Sequence, residues 1–205
     1  MGDEAMVLEG AHVRLEPLQL AHVAALLAVA TIDRATYRWT TVPATEGEMT
    51  AYVAESLRLR AAGSAIPFVT LARESGDVIG TTRFANMERW PWPAGSANVR
   101  AWDAVEVGWT WLAPAAQRTA VNTEAKLLML AHAFETWGVH RLTLHTDSRN
   151  ERSRRAIERI GGRLDGVLRA NRASSIGDVR DTAVYSITAA EWPGVRAALE
   201  GRLRG

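Results

Sequence analysis

The chain has 205 residues, of which 47% are hydrophobic and 23% charged, with a formal net charge of +1. That balance suits one domain over residues 1–205; it excludes long disorder and the global basic field of a nucleic-acid binder. No cysteine is present, which removes disulfides, zinc-thiolate sites and a cysteine nucleophile together.

The first ten residues carry Asp3, Glu4 and Glu9 and lack the basic-then-apolar pattern of a secretion signal. No apolar run approaches the ~20 residues that span a bilayer, so a cytoplasmic protein without a membrane partner is expected. Val13 to Leu18 alternates apolar and polar residues and predicts a strand. A helix follows over about Leu20 to Ala30. Thr45 with Glu48 forms a capping box for a second helix carrying Met49, Val53 and Leu57 and ending near Gly63. Phe68 to Ala72 and Val78 to Phe84 flank turn chemistry at Ser75-Gly76-Asp77 and predict a hairpin. A long connection from Asn86 to Asp103 contains Trp90-Pro91-Trp92-Pro93, a length typical of functional loops. Val105 to Leu112 is again strand-like. Asn122 to Gly138 is the clearest helix, with Leu127, Leu130, Ala131, Phe134 and Trp137 on one stripe and Gly138 placed as a cap. Arg141 to Thr146 predicts a strand, and Ser148 with Glu151 a second capping box opening a helix through Ile160. Leu164 to Leu168 and Thr182 to Ile187 close as strands, and Trp192, Val195 and Leu199 mark a last helix. Strands alternating with helices predict an α/β (mixed α+β) fold.

Chemistry concentrates between Glu106 and Glu124. A strand passes through a short loop of small and polar residues into the N-terminus of a strong helix. First-turn amides there lack carbonyl partners and the helix dipole adds positive charge, so the site favours a phosphate-bearing ligand, to which Arg118 adds a charged contact. The same stretch also reads as an ordinary strand-to-helix connection capped by Asn122.

Four segments, Val13 to Leu18, Glu106 to Glu124, Asn150 to Ser153 and Arg180 to Ile187, resemble in family order the GNAT superfamily of N-acetyltransferases. The likeness is strongest to the branch that includes the ribosomal-protein N-terminal alanine acetyltransferases. The resemblance implies a mostly antiparallel sheet splayed between its middle strands, acetyl-CoA as co-substrate, and a primary amine as acceptor. The family's phosphate loop reads Gln/Arg-x-x-Gly-x-Gly/Ala; Gln117 matches, while Ala120 and Asn122 stand where glycine or small residues are expected. Alanine adds a methyl, and asparagine tolerates left-handed geometry. By resemblance, Gln117, Arg118, Thr119, Ala120, Val121, Asn122 and Thr123 cradle the pyrophosphate. Trp109, Trp111 and Leu112 line the pantetheine arm, which Asn150 also contacts. The arginines at 149, 152, 154, 155, 159 and 163 either attract the 3′-phosphate or form a solvated face.

Acetyl transfer needs a neutral amine. At pH 7, deprotonating a peptide α-amine costs only ~1–1.4 kcal/mol, against ~4.6 kcal/mol for a lysine, so one carboxylate acting through water suffices for an α-amine. Glu106 is the candidate base; its other reading is a carboxylate paired with an arginine on a sheet face. Many family members place a tyrosine, the acid for the leaving thiolate, where this chain has Ile157. Ser153 is the candidate in its stead, or else a helix-surface hydroxyl. Tyr37, Trp39, Trp90, Trp92 and Tyr185 are the candidate acceptor contacts, the alternative being loop packing, while Trp111 and Trp137 look structural. The five histidines show no metal spacing, so no metal is expected. Beside a peptide α-amine stand two other readings: a small-molecule amine as acceptor, or a non-catalytic acyl-CoA-binding module. A homodimer is expected from related enzymes.

Overall fold

A computed structural model describes residues 6–205, so Asp3 and Glu4 of the N-terminal segment lie outside the described residues. Leu8–Glu9 (β1) pairs with Val13–Pro17 (β2), whose Val13 and Leu15 are fully buried, as alternation requires. A 3-10 turn at Leu20–His22 leads into α1 (Val23–Ala30), and a second at Arg34–Tyr37 precedes α2 (Glu46–Ala61). The Thr45–Glu48 capping box forms as expected. Strands β3 (Ala65–Ala72) and β4 (Val78–Glu88) make the expected hairpin, so the following connection is shorter than Asn86 to Asp103; its first residues complete β4.

After β5 (Ala104–Leu112), α3 (Ala120–Ala131) starts two residues earlier than expected. Its N-cap is Thr119, whose hydroxyl accepts from the Val121 N–H, and not Asn122, which lies within the first turn. The helix continues as a π-helical turn, His132–Trp137, that keeps Ala133, Phe134 and Trp137 buried, and ends at Gly138 with φ +66°. Next come β6 (Arg141–Asp147), α4 (Glu151–Arg159), β7 (Arg163–Ala173), β8 (Val179–Thr188) and α5 (Trp192–Arg204). The expected Ser148–Glu151 box does not form. Asn150 caps α4 by accepting from the Ser153 N–H, while the Ser148 N–H donates to the Asp181 carbonyl.

The eight strands form one sheet in the order β1-β2-β3-β4-β5-β6-β8-β7, and only β5 and β6 run parallel. Two cores cover its faces. On one, α3, α4 and α5 bury Phe84, Val105, Met129, Leu142, Ile157, Tyr185 and Leu199; on the other, α1 and α2 pack over Leu18, Leu26, Met49, Val69 and Trp111. Buried Glu124 on α3 accepts from the N–H groups of Ala11, His12 and Val13, which ties the helix to the edge of the sheet. Among the described residues, no helix is long and apolar enough to cross a membrane.

Candidate active site

The parallel pair at the centre is short. β5 and β6 pair only over Ala104–Arg141, Val105–Leu142 and Glu106–Thr143. Beyond that point β5 follows β4 to Leu112 and β6 follows β8 to Asp147, so the two strands part. A bulge in β5 accompanies the parting: the register with β4 shifts between Thr81 and Arg83, and Trp109 takes φ +50°. The Arg83 guanidinium lies 3.7 Å over the Trp109 ring and braces it there. Between the diverging strands opens a cleft of about 850 Å³.

Glu106 stands at the fork, in the last position of β5 that pairs with β6, 4% exposed and lining the cleft. Asn86 Nδ2, held at φ +47°, donates to its Oε2 at 2.6 Å. His145 Nδ1 approaches the same oxygen at 3.2 Å, off the line of a straight hydrogen bond. A Cβ at Gly108 would come within 3.2 Å of Glu106 Oε1, so the glycine leaves that oxygen room. Burial pushes the Glu106 carboxyl up, but His145, Asn86 and the more distant charge of Arg172 together hold it below the usual range. The group is a carboxylate at neutral pH, bordered by histidine and asparagine and not by an ion-paired arginine.

One wall of the cleft is the approach to α3. A 3-10 turn at Pro114–Ala116 is followed by Gln117, whose Nε2 donates to the Leu112 carbonyl and whose Oε1 accepts from Arg152. The left-handed residue of this loop is Arg118 (φ +63°), not Asn122. Gln117, Arg118, Thr119 and Asn122 line the cleft; Ala120, Val121 and Thr123 do not, so the Ala120 methyl stays clear of it. Thr119 takes up one of the first-turn amides of α3, and its neighbours have no carbonyl a turn behind them.

The opposite wall is α4. Asn150 is buried, with Oδ1 committed to the helix cap, and its Nδ2 remains for the cleft it lines. Ser153 lines the cleft from the first turn, and Ile157 fills the position a phenol would need. Arg152, Arg155 and Arg159 complete this wall. Deeper, Lys126 projects from α3, donating from Nζ to Thr110 Oγ1 at 2.7 Å and to Thr82 Oγ1 at 3.1 Å. Burial with no carboxylate beside it pulls its pKa down to about 7.

Residues 12–163 match the family model described as an acetyltransferase (GNAT) domain. The chain belongs to the GNAT acetyltransferase family. A GCN5-related N-acetyltransferase from Brucella melitensis is 28% identical and superposes with a TM-score of 0.83, over 98% of this chain and 86% of that one. Mycobacterium smegmatis RimJ, solved with a CoA-disulfide, shares the fold at 20% identity and a TM-score of 0.80, over 98% and 96% of the two chains. RimL, the ribosomal L7/L12 alpha-N-protein acetyltransferase, does so at 17% identity and 0.74, over 89% and 94%. No curated protein matches the sequence.

Acetyl-CoA use follows from the GNAT family, and the cleft fits it: exposed helix amides, a clear Ala120, and a strand edge freed at Val107 to Leu112. Among the described residues no group of three or more metal-ligating side chains occurs. Trp111 lines this GNAT cleft, and its ring is buried edge-on against Tyr37. Leu112 offers a carbonyl already bound by Tyr37 Oη and Gln117 Nε2.

The acceptor candidates divide. Trp39 lines the cleft with the guanidinium groups of Arg38 and Arg149 each over its ring, and Tyr37 lines it while its hydroxyl braces Leu112. Trp90 and Trp92 do not border the cleft. Buried Asp103 draws them away, accepting from the Trp90 N–H and from Trp92 Nε1, and Trp90 stacks on His140. Tyr185 is fully buried, its hydroxyl held between Arg154 and Glu158. Sequence reasoning missed Asn86, His145, Lys126, Arg172 and Arg180 as neighbours of the site. Of these, Lys126 carried a signal as the sole lysine of the chain, and Arg180 as the first residue of the last segment that carries the resemblance.

Proposed function

We propose that this acetyltransferase moves an acetyl group from acetyl-CoA to the α-amine at the N-terminus of a protein or peptide. The observation that carries the reading is Glu106, an ionised carboxylate at the fork of β5 and β6 and within the cleft that α3 opens onto. The fold shared with RimL, named for α-N-protein acetylation, supports the same acceptor class.

Acetyl-CoA supplies the acetyl group, activated as a thioester. The amides of Arg118 to Asn122 receive the pyrophosphate, with the α3 dipole adding to their pull. The open edge from Trp109 to Leu112 aligns the pantetheine arm, and a main-chain N–H of that edge polarises the carbonyl. Glu106 takes a proton from the attacking amine through a water molecule. An α-amine near pKa 7.7–8.0 is already partly neutral at pH 7, so the proton Glu106 receives is the one that turns acidic as the C–N bond forms, before the C–S bond breaks and the thiolate departs. Ser153 hydrogen-bonds the departing thiolate; Ile157 leaves no phenol to protonate it, and a thiol of pKa about 8.5 leaves without one.

A thiol-release screen with dipeptides of varied first residue tests the proposal. Turnover on α-amines, with kcat/KM rising with pH through about 7–8 as the amine deprotonates, is the expected result. Thiol release on small amines alone, with none on any peptide, overturns it.

A further inference from the structure

The arginines of the cleft fall into two groups on opposite faces of the sheet. Arg118, Arg152, Arg155 and Arg159 belong to α4 and the start of α3, the helices packed on the Tyr185 face. These four border the proposed coenzyme site. Arg172 and Arg180 lie elsewhere. Residues paired in register share a face, and alternate residues along a strand do too. Glu106 pairs with Thr143; His145 follows two residues on and pairs with Val184; Arg180 lies four residues before Val184 and pairs with Arg172. Glu106, His145, Arg180 and Arg172 therefore share the face opposite Tyr185, and all four line the cleft.

Two arginines set directly opposite each other across a ladder repel, and such a pair is destabilising unless an anion joins it. Here none does. Among the described residues the Arg180 side chain makes no hydrogen bond or ion pair, and that of Arg172 bonds only to the Asn171 side chain. The nearest acids are engaged: Asp147 by Arg149, and Glu106 by Asn86 and His145. Burial, then the charge of Arg172, lowers the affinity of the Arg180 guanidinium for its proton, against a smaller opposing pull from the charges of Asp147 and Glu106. An anion supplied from solution would relieve that repulsion and satisfy the buried Nε.

We infer that Arg172 and Arg180 bind an anionic group of the acceptor, so that the amine acetylated belongs to a molecule that also carries a carboxylate. The carboxylate is an acidic side chain near a peptide's N-terminus or the carboxylate of an amino acid. This rests on the acetyltransfer reading for its chemistry, but not for the binding itself.

The test pairs acidic acceptors with isosteric neutral ones: peptides with Asp or Glu at the second or third position against Asn or Gln there, and free amino acids against their amides. Thiol release gives kcat/KM for each, and calorimetry on the CoA-saturated protein gives affinity. Wild type should favour acidic acceptors about tenfold or more, in line with a charge-assisted bidentate contact. In the double variant Arg172→Gln with Arg180→Gln the acidic-to-neutral ratio should fall to near one, and Arg172→Lys with Arg180→Lys should recover part of it. Whichever pair shows the preference, peptide or amino acid, identifies the source of the carboxylate. Equal affinity and kcat/KM for acidic and neutral acceptors in wild type, or a preference that survives the double Gln variant, overturns the inference. Arginine-dependent binding of acidic acceptors without any thiol release keeps it and overturns acetyltransfer; turnover indifferent to acceptor charge does the reverse.

Discussion

Glu106 shows how neighbours decide what a side chain does. Its motif position was readable in the sequence, but its partners were not, because Asn86 and His145 reach it only through the β4–β5 and β5–β6 registers. Glu106→Gln keeps the shape and the Asn86 contact but loses the charge. Turnover should fall roughly 10²- to 10⁴-fold with acetyl-CoA affinity unchanged; steady-state kinetics alongside calorimetry checks both. Lys126 makes a complementary prediction for stability. In the unfolded chain its amine holds a proton up to about 10.5, whereas the folded protein releases it near 7. Between those values the unfolded chain binds more protons, so stability climbs as pH rises from 7 to 10.5. Below pH 7 the burial cost is fully present, at most roughly 5 kcal/mol. Lys126→Met removes it, and Thr82 and Thr110 still bond to each other. The variant should be more stable than wild type by about 1–3 kcal/mol at pH 6–7, with the gap closing towards pH 10. Urea denaturation at both pH values measures this, and a gap independent of pH would mean that the buried amine does not titrate as described.

At the level of elements, long periodic stretches were legible and their ends were not. The Thr45–Glu48 box formed because both residues sit at the spacing that satisfies two donors at once. Ser148–Glu151 has the same spacing, yet the Ser148 amide is claimed by β8, and the chain enters α4 two residues later through Asn150. A local pattern cannot reveal that competition. Asn150→Ala should therefore lower stability by about 1 kcal/mol, whereas Ser148→Ala should change it by less than about 0.5 kcal/mol; thermal unfolding of the two variants separates these outcomes. β7 and β8 were underread for a different reason. The outer half of β7 carries exposed, charged residues such as Arg169 and Arg172, and β8 carries Arg180 and Asp181 near its start, which hide the alternation that marks a half-buried strand. The same polar hairpin supplies Arg172 and Arg180 to the cleft, so the least legible element contributes an unforeseen part of the site.

For the whole molecule, a net charge of +1 conceals a strongly uneven distribution. The cleft gathers Arg118, Lys126, Arg152, Arg155, Arg159, Arg172 and Arg180 around a single carboxylate, Glu106. A field of that kind attracts polyanionic coenzymes over distances that salt shortens. The dissociation constant for acetyl-CoA should rise severalfold between low and high ionic strength, as titration in buffers of graded NaCl would measure. The fold that produces this field was legible from the order of its elements; the separation of its charges onto two faces needed the register of each pair of strands. All of it depends on the parting of β5 from β6. The structure of the acetyl-CoA complex tests that dependence most directly. The pyrophosphate is expected on the amides of Arg118 to Asn122, the arm along Trp109 to Leu112, and the thioester beside Glu106. A coenzyme bound away from the fork, or a fork left empty at saturating acetyl-CoA, would contradict this placement.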